Sequence, residues 1–265
     1  MKPNDPTKVK TGTREALLDS AEVLFSDLGI AGTSLRAVTS HAGANLAAVN
    51  YHFVSKEGLV REVFRRRLAP VSAERLRLLD LARGESAPEA APVAVIVEAF
   101  VAPVLRMGED QPEKTRNFKR LLGRTLSEPG DEMSKIVMEQ FREVGERFLK
   151  AFQEALPGVP LDILMWRFHF MVGSLIQVTL NGALIERHTA GRCDASNIPE
   201  LTARLVESLA AAFEASVSGF RSPPKAARSS QGNAAEISPE RRKQAESHQQ
   251  PDGDSSSIFP WEEGF

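Results

Sequence analysis

The chain has 265 residues, 42% of them hydrophobic and 26% charged, with a formal net charge of −2. That apolar content supports one large or two small buried cores and excludes a chain disordered throughout. A single cysteine, Cys193, excludes an internal disulfide, and the opening MKPNDPTKVKTGT lacks the apolar stretch of a secretion signal. The longest apolar run, 168–185, is interrupted by His169, Gln177, Thr179 and Asn181, so a cytoplasmic protein with no membrane partner is expected.

Residues 1–12 are polar, with Pro3, Pro6 and Gly12, and read as a flexible basic arm. From Thr13, Ala16, Leu17, Ala21, Leu24, Phe25 and Leu28 recur at three- and four-residue spacing and predict a helix that stops at Gly29. Thr33 and Ser34 offer an N-cap to a short second helix with Leu35 and Val38 inward, closed at Ala42-Gly43. Asn45 caps a third, with Leu46 and Val49 inward. Ser55 caps a fourth that buries Leu59, Val63 and Phe64 and sets Arg61, Arg65, Arg66 and Arg67 on its other faces. Over 1–83, thirteen Lys and Arg stand against nine Asp and Glu, so the basic surplus is local although the whole chain is slightly acidic.

Two short helices joined by a glycine turn make a helix-turn-helix, whose second helix presents its N-terminal residues to the major groove. Gly43 allows the turn. Ala47 and Ala48 are small enough for close approach to base edges and for contact with a thymine methyl, while Asn45 and Asn50 can bond bases or phosphates. Phe53 reads as a packing residue and His52 as a structural histidine.

The stretch REALLDSAEVLFSDLGIAGTSLRAVTSHAG, followed by ANLAAVNYHFVSKEGLV, resembles the TetR family of bacterial transcriptional regulators over about residues 13–60. The resemblance implies phosphate contacts from Thr33 and Ser34, base reading by Asn45, Ala47 and Ala48, and a backbone contact from Lys56. Asn50 stands where many members have tyrosine, and Tyr51 follows one place later; both fall on the same expected DNA surface. NLAAVNYHF is similar to a branch of the family that includes fatty-acid-responsive repressors.

Beyond Leu68, breaks rich in Gly and Pro delimit helices near 93–107, 113–127, 131–156, 161–189 and 199–219. With no sustained period-two alternation the chain is expected to be all-α. The expected organisation is the arm, a helix-turn-helix bundle over 13–68, a larger helical domain over 69–220 and a disordered Ser/Pro/Gln-rich tail over 221–265 that ends in IFPWEEGF. The resemblance makes the larger domain one for ligand binding and dimerisation. Phe118, Leu121, Leu122, Met138, Phe141, Met165, Trp166 and Phe170 are then candidates for an inducer pocket, and Arg116, Arg120, Arg124 and Arg167 for an acid head group. Gly173, Ser174, Gly182 and Ala183, with Leu201, Leu205 and Leu209, suit a four-helix dimer interface.

These features predict a homodimeric repressor on a palindromic operator in double-stranded DNA, released by a small apolar or amphipathic inducer such as a fatty acid or acyl thioester. An activator or ligand-independent regulator of the same fold fits the same residues. A helical-bundle enzyme does not. None of His41, His52, His169, His188 and His248 has a carboxylate at metal-site spacing, and no cofactor, metal or catalytic residue is implied.

Overall fold

The computed structural model describes residues 6–84, 90–107, 112–127 and 132–216. The tail expected over 221–265 and the first five residues of the expected arm lie outside the described residues. Among the described residues there are ten helices and no strand, as the missing period-two pattern predicts.

Helix α1 (Pro6–Gly32) opens on proline, whose absent N–H is no loss at a first helical position. The helix therefore reaches back into the segment read as an arm. Its helical backbone breaks at Gly29 (φ 80, ψ 160), the predicted stop. Leu28, placed on the apolar stripe by spacing, is exposed instead. Helices α2 (Leu35–His41) and α3 (Leu46–Phe53) follow, then α4 (Lys56–Arg83). Leu17 and Phe25 of α1, Val38 of α2, Val49 of α3 and Leu59 and Phe64 of α4 close a first core.

Helix α4 runs without interruption through the boundary expected at Leu68, although Pro70 lies inside it. Proline removes one helical hydrogen bond. Apolar contacts on both sides hold the helix together across that point: Leu68 packs in the first core, and Leu79 in a second. The second core is centred on α5 (Val93–Leu105), whose buried residues lie on all sides of the helix, as befits a central element. Around it stand α8 (Arg142–Ala155), α9 (Leu161–His188) and α10 (Ile198–Glu214). Phe100 of α5 makes edge contacts with Phe148 at 5.1 Å and Phe168 at 5.3 Å, a favoured aromatic geometry.

Helices α6 (Pro112–Ser127) and α7 (Glu132–Glu139) depart from the order of the chain. Their Phe118, Leu121 and Val137 are buried in the first core, with Phe118 edge-on to Phe64 at 5.7 Å. The single helix expected over 131–156 is two helices, α7 and α8, parted near Gln140 and Phe141.

Candidate nucleic-acid interface

Each helix of the α2–α3 pair is started by its own cap. Ser34 Oγ accepts from the Ala37 N–H at 3.1 Å, and Asn45 Oδ1 accepts from the Ala48 N–H at 2.9 Å. Gly43, at φ 62, turns the chain between them in a conformation that a side chain resists. Val38 and Val49 face inward and are fully buried, fixing the angle of the pair, and His41 Nδ1 lies 2.9 Å from Ser20 Oγ on α1.

The end of α3 is held from the opposite side. Ser55 caps α4 by accepting from the Gly58 N–H at 3.1 Å. A Cβ at Gly58 would lie 2.0 Å from the Phe53 carbonyl oxygen, so only glycine lets the two helices meet this closely. Val54 completes the turn at φ 68, ψ −45, a strained conformation for a β-branched residue. Arg14 of α1 lies over the Phe53 ring at 5.5 Å and pairs with Glu62 of α4.

Arg65, Arg66 and Arg67 point around α4, so that at most one or two are expected to face DNA and the rest solvent; Arg66 and Arg67 instead pair with α1. Arg67 grips Glu22 of α1 through two hydrogen bonds of 3.0 and 2.7 Å, and Arg66 donates to Glu22 at 2.7 Å and to Asp19 at 2.8 Å. The Glu22 side chain is only 4% exposed. Burial works against the Arg66 charge, yet the hydrogen bonds and charges of Glu22 and Asp19 outweigh it and raise its pKa. Arg65 bonds Glu62 and holds that carboxyl below its ordinary range despite partial burial. The pairs of Arg66 and Arg67 with Glu22 and Asp19, and of Arg14 with Glu62, tie α1 to α4, the two helices that flank α2 and α3 in the chain.

The expected DNA residues are mixed in exposure. Ser34, Asn45, Ala47, Asn50 and Tyr51 are exposed, while Ala48 and Lys56 are half-buried. Seven of the eight expected DNA residues are thus exposed or half-buried. Thr33 is the exception, at 1% exposure, because its hydroxyl donates to the Gly29 carbonyl at 2.8 Å and the Leu24 carbonyl at 3.2 Å and closes the α1 end. Asn45 also changes role in part. Its Oδ1 is used by the cap, leaving the amide N–H group to donate.

Two residues of this surface escaped the sequence reading. Leu46 was expected inward but is 42% exposed, because it occupies the first turn of α3, beyond the reach of the core. Arg36 is exposed on the first turn of α2 and, among the described residues, has no carboxylate in salt-bridge range. Its position two residues after the Ser34 cap is the signal that could have marked it as a candidate for phosphate contact.

The eight expected inducer residues fall in three places. Phe118, Leu121, Leu122, Met138 and Phe141 pack in or against the first core, and Met165 packs against the second. Trp166 and Phe170 stack at 5.8 Å on the outside of α9, each 63% exposed. Helical stripes report that a face is covered and leave open by which element. Three of the four candidate head-group arginines do not stand open. Arg120 donates to Ser26 Oγ at 2.8 Å and pairs with Asp27, Arg124 donates to the Asp27 carbonyl at 3.1 Å, and Arg167 holds the Phe213 and Ala215 carbonyls at the end of α10. Arg116 is exposed.

Two family models match the chain: bacterial regulatory proteins of the tetR family over residues 17–63, and the tetracyclin repressor-like C-terminal domain over 98–212. A stretch of 63 residues is 40% identical to the HTH-type transcriptional repressor KstR2 of Rhodococcus jostii, covering 24% of this chain and 31% of that protein. The chain thus matches about a third of the length of that curated relative. Among solved structures, the SmeT–triclosan complex superposes with TM-score 0.53 at 20% identity, over 74% of this chain and 90% of the other. The fatty acid degradation regulator FadR of Bacillus halodurans gives TM-score 0.53 at 12% identity, over 79% and 97%. At these identities the two likenesses speak for the fold.

Proposed function

We propose, from the premise that this chain belongs to the TetR family of bacterial transcriptional regulators, that it is a homodimeric, ligand-released repressor of a palindromic DNA operator. The family is non-enzymatic, and the proposed place of action is the cytoplasm. The observation that carries the reading is the set of small and polar side chains on α2 and α3, whose flanking helices are tied by the α1–α4 arginine pairs. Ala47 and Ala48 allow α3 to enter the major groove, where Leu46 can meet a thymine methyl and Asn45 and Asn50 can donate to base acceptors. Ser34, Arg36, Tyr51 and Lys56 flank that axis as phosphate contacts, aided by the positive N-terminal ends of α2 and α4. Repression, as against activation, is supported by the two KstR2 relatives that are named repressors.

Two copies are needed to read two half-sites about one DNA turn, roughly 34 to 36 Å, apart. Helix α9 supplies a surface for this. It is long and apolar, yet only 11% of its most apolar 18 residues is buried within one chain. The exposed Trp166, Phe170 and Leu184 are then covered by a second copy rather than by water.

Ligand release requires a path from the C-terminal helices to α2 and α3. Helix α6 supports one, since Gly123 lies against Leu180 of α9 while Arg120 and Arg124 hold the end of α1 directly before α2. A small apolar or amphipathic molecule, such as a fatty acid or acyl thioester, that prefers a displaced α6 would shift the population away from the DNA-binding form by its differential affinity. The fold shared with a protein solved with triclosan and with one described as a fatty acid degradation regulator supports that ligand class.

Selection of bound sequences from a random duplex pool, at two salt concentrations, tests the proposal. Enrichment of an inverted repeat, with affinity that falls as salt rises, is the expected result. Binding without enrichment contradicts it.

A further inference from the structure

Arg75 of α4 is the buried charge that the fold leaves without a counter-charge. Its exposure is 4%, its Nε donates to the Phe100 carbonyl at 2.7 Å, and its guanidinium lies 3.8 Å over the Phe100 ring. No carboxylate of the described residues pairs with it, in contrast to Arg66 and Arg67 on the same helix. Burial alone, with no opposing acid, lowers its pKa to about 9, so the group is still largely cationic at neutral pH.

The two terminal nitrogens of Arg75 have no hydrogen-bond partner among the described residues. They are also absent from the sealed and unpartnered atoms, which among those residues are Arg66 Nε and Thr179 Oγ1. They therefore combine unused donors with a net charge at a buried position. A guanidinium with one edge fixed and the other edge unpartnered is preorganised for a carboxylate, which it can bind through two parallel hydrogen bonds. The surroundings are aromatic: Phe100 bears on Phe148 and Phe168, and Phe168 and Val172 are only partly buried. A charged anchor beside an apolar wall selects a molecule with the same two parts.

We infer that Arg75 is the head-group anchor for an amphipathic carboxylic acid, bound as the free carboxylate with its apolar portion against Phe168 and Val172. This rests on the reading that the C-terminal helices take an amphipathic effector, and it narrows that effector to the acid over its ester or thioester. The bound carboxylate supplies the missing counter-charge, so binding and charge compensation are one event.

The test is calorimetric titration of the full-length protein with dodecanoate and hexadecanoate, with their methyl esters, and with hexadecanoyl-coenzyme A. On wild-type protein the free acids are expected to bind more tightly than the esters by on the order of tenfold or more, the value of a hydrogen-bonded charge. Arg75→Gln should remove that preference, and Arg75→Lys should keep part of it. Affinity of each variant for the selected operator is measured in parallel, so that loss of the acid preference with DNA binding intact assigns the effect to Arg75. If Arg75→Gln fails to fold, the acid-to-ester ratio of the wild-type protein and the Arg75→Lys variant still decide. Equal binding of acid and ester, binding of the thioester alone, an unchanged preference in Arg75→Gln, or no binding of any acid overturns the inference. In those cases sequence-selective DNA binding would leave the regulator reading standing, whereas its loss in the wild-type protein would remove that reading independently.

Discussion

Helix α4 carries buried arginines of two kinds. In its first half Arg66 and Arg67 share Glu22, with Asp19 alongside, and the charges close on one another within the fold. In its second half Arg75 is as buried as Glu22 but meets only a carbonyl and a phenyl ring. The difference separates architecture from recognition. A buried charge that the chain neutralises itself fixes two helices together, whereas one left open costs stability until something else completes it.

The comparison breaks most visibly in the first core. Phe118→Ala is expected to lower stability by about 3–5 kcal/mol, because a fully buried ring on Phe64 is removed. Denaturant unfolding measures this, and a cost of a few tenths would return Phe118 to a ligand-lining role. Glu22→Ala should cost about 3 kcal/mol in the same assay, since it strands the Arg67 guanidinium, about four-fifths buried, and leaves Arg66 only its bonds to Asp19 and Glu15. Against this, Arg75→Met is expected to change stability by less than about 1 kcal/mol, as the removed desolvation cost offsets the lost hydrogen bond and ring contact. A loss equal to that of Glu22→Ala would mean that Arg75 is structural after all. Val54→Gly should raise the unfolding free energy by about 1 kcal/mol by relieving a positive φ. The smallest effect on stability belongs to Lys56→Ala, which should leave folding unchanged and reduce the salt slope of DNA binding by roughly one unit.

What could be read from the sequence was local. The caps at Ser34, Asn45 and Ser55 and the turn at Gly43 are decided by neighbours within four residues, and each is found where its residue type predicts. The family was legible for the same reason, because the helix-turn-helix signature is one contiguous stretch. Partners distant in sequence were not legible. Glu22 and Arg67 are 45 positions apart, and nothing in the spacing of either helix couples them. Likewise the apolar stripe of α6 is plain in the sequence, but that Phe118 lies on Phe64 of α4 is a fact of packing. The boundary expected at Leu68 rests on a change of composition, and α4 runs on through it with Leu68 in one core and Leu79 in the other. Arg75 carried no local sign at all, since its distinction is the absence of an acid near it.

The central claim is that the α3 surface reads base sequence, while Lys56 and Arg36 only hold phosphates. The most direct measurement is the ratio of affinities for the enriched duplex and a scrambled duplex of equal length, for wild type, Asn45→Ala, Ala47→Glu, Arg36→Ala and Lys56→Ala. The account predicts that Asn45→Ala and Ala47→Glu shrink the ratio, whereas Arg36→Ala and Lys56→Ala weaken both affinities together and leave it unchanged. A ratio unaffected by either α3 substitution would contradict base reading by this helix.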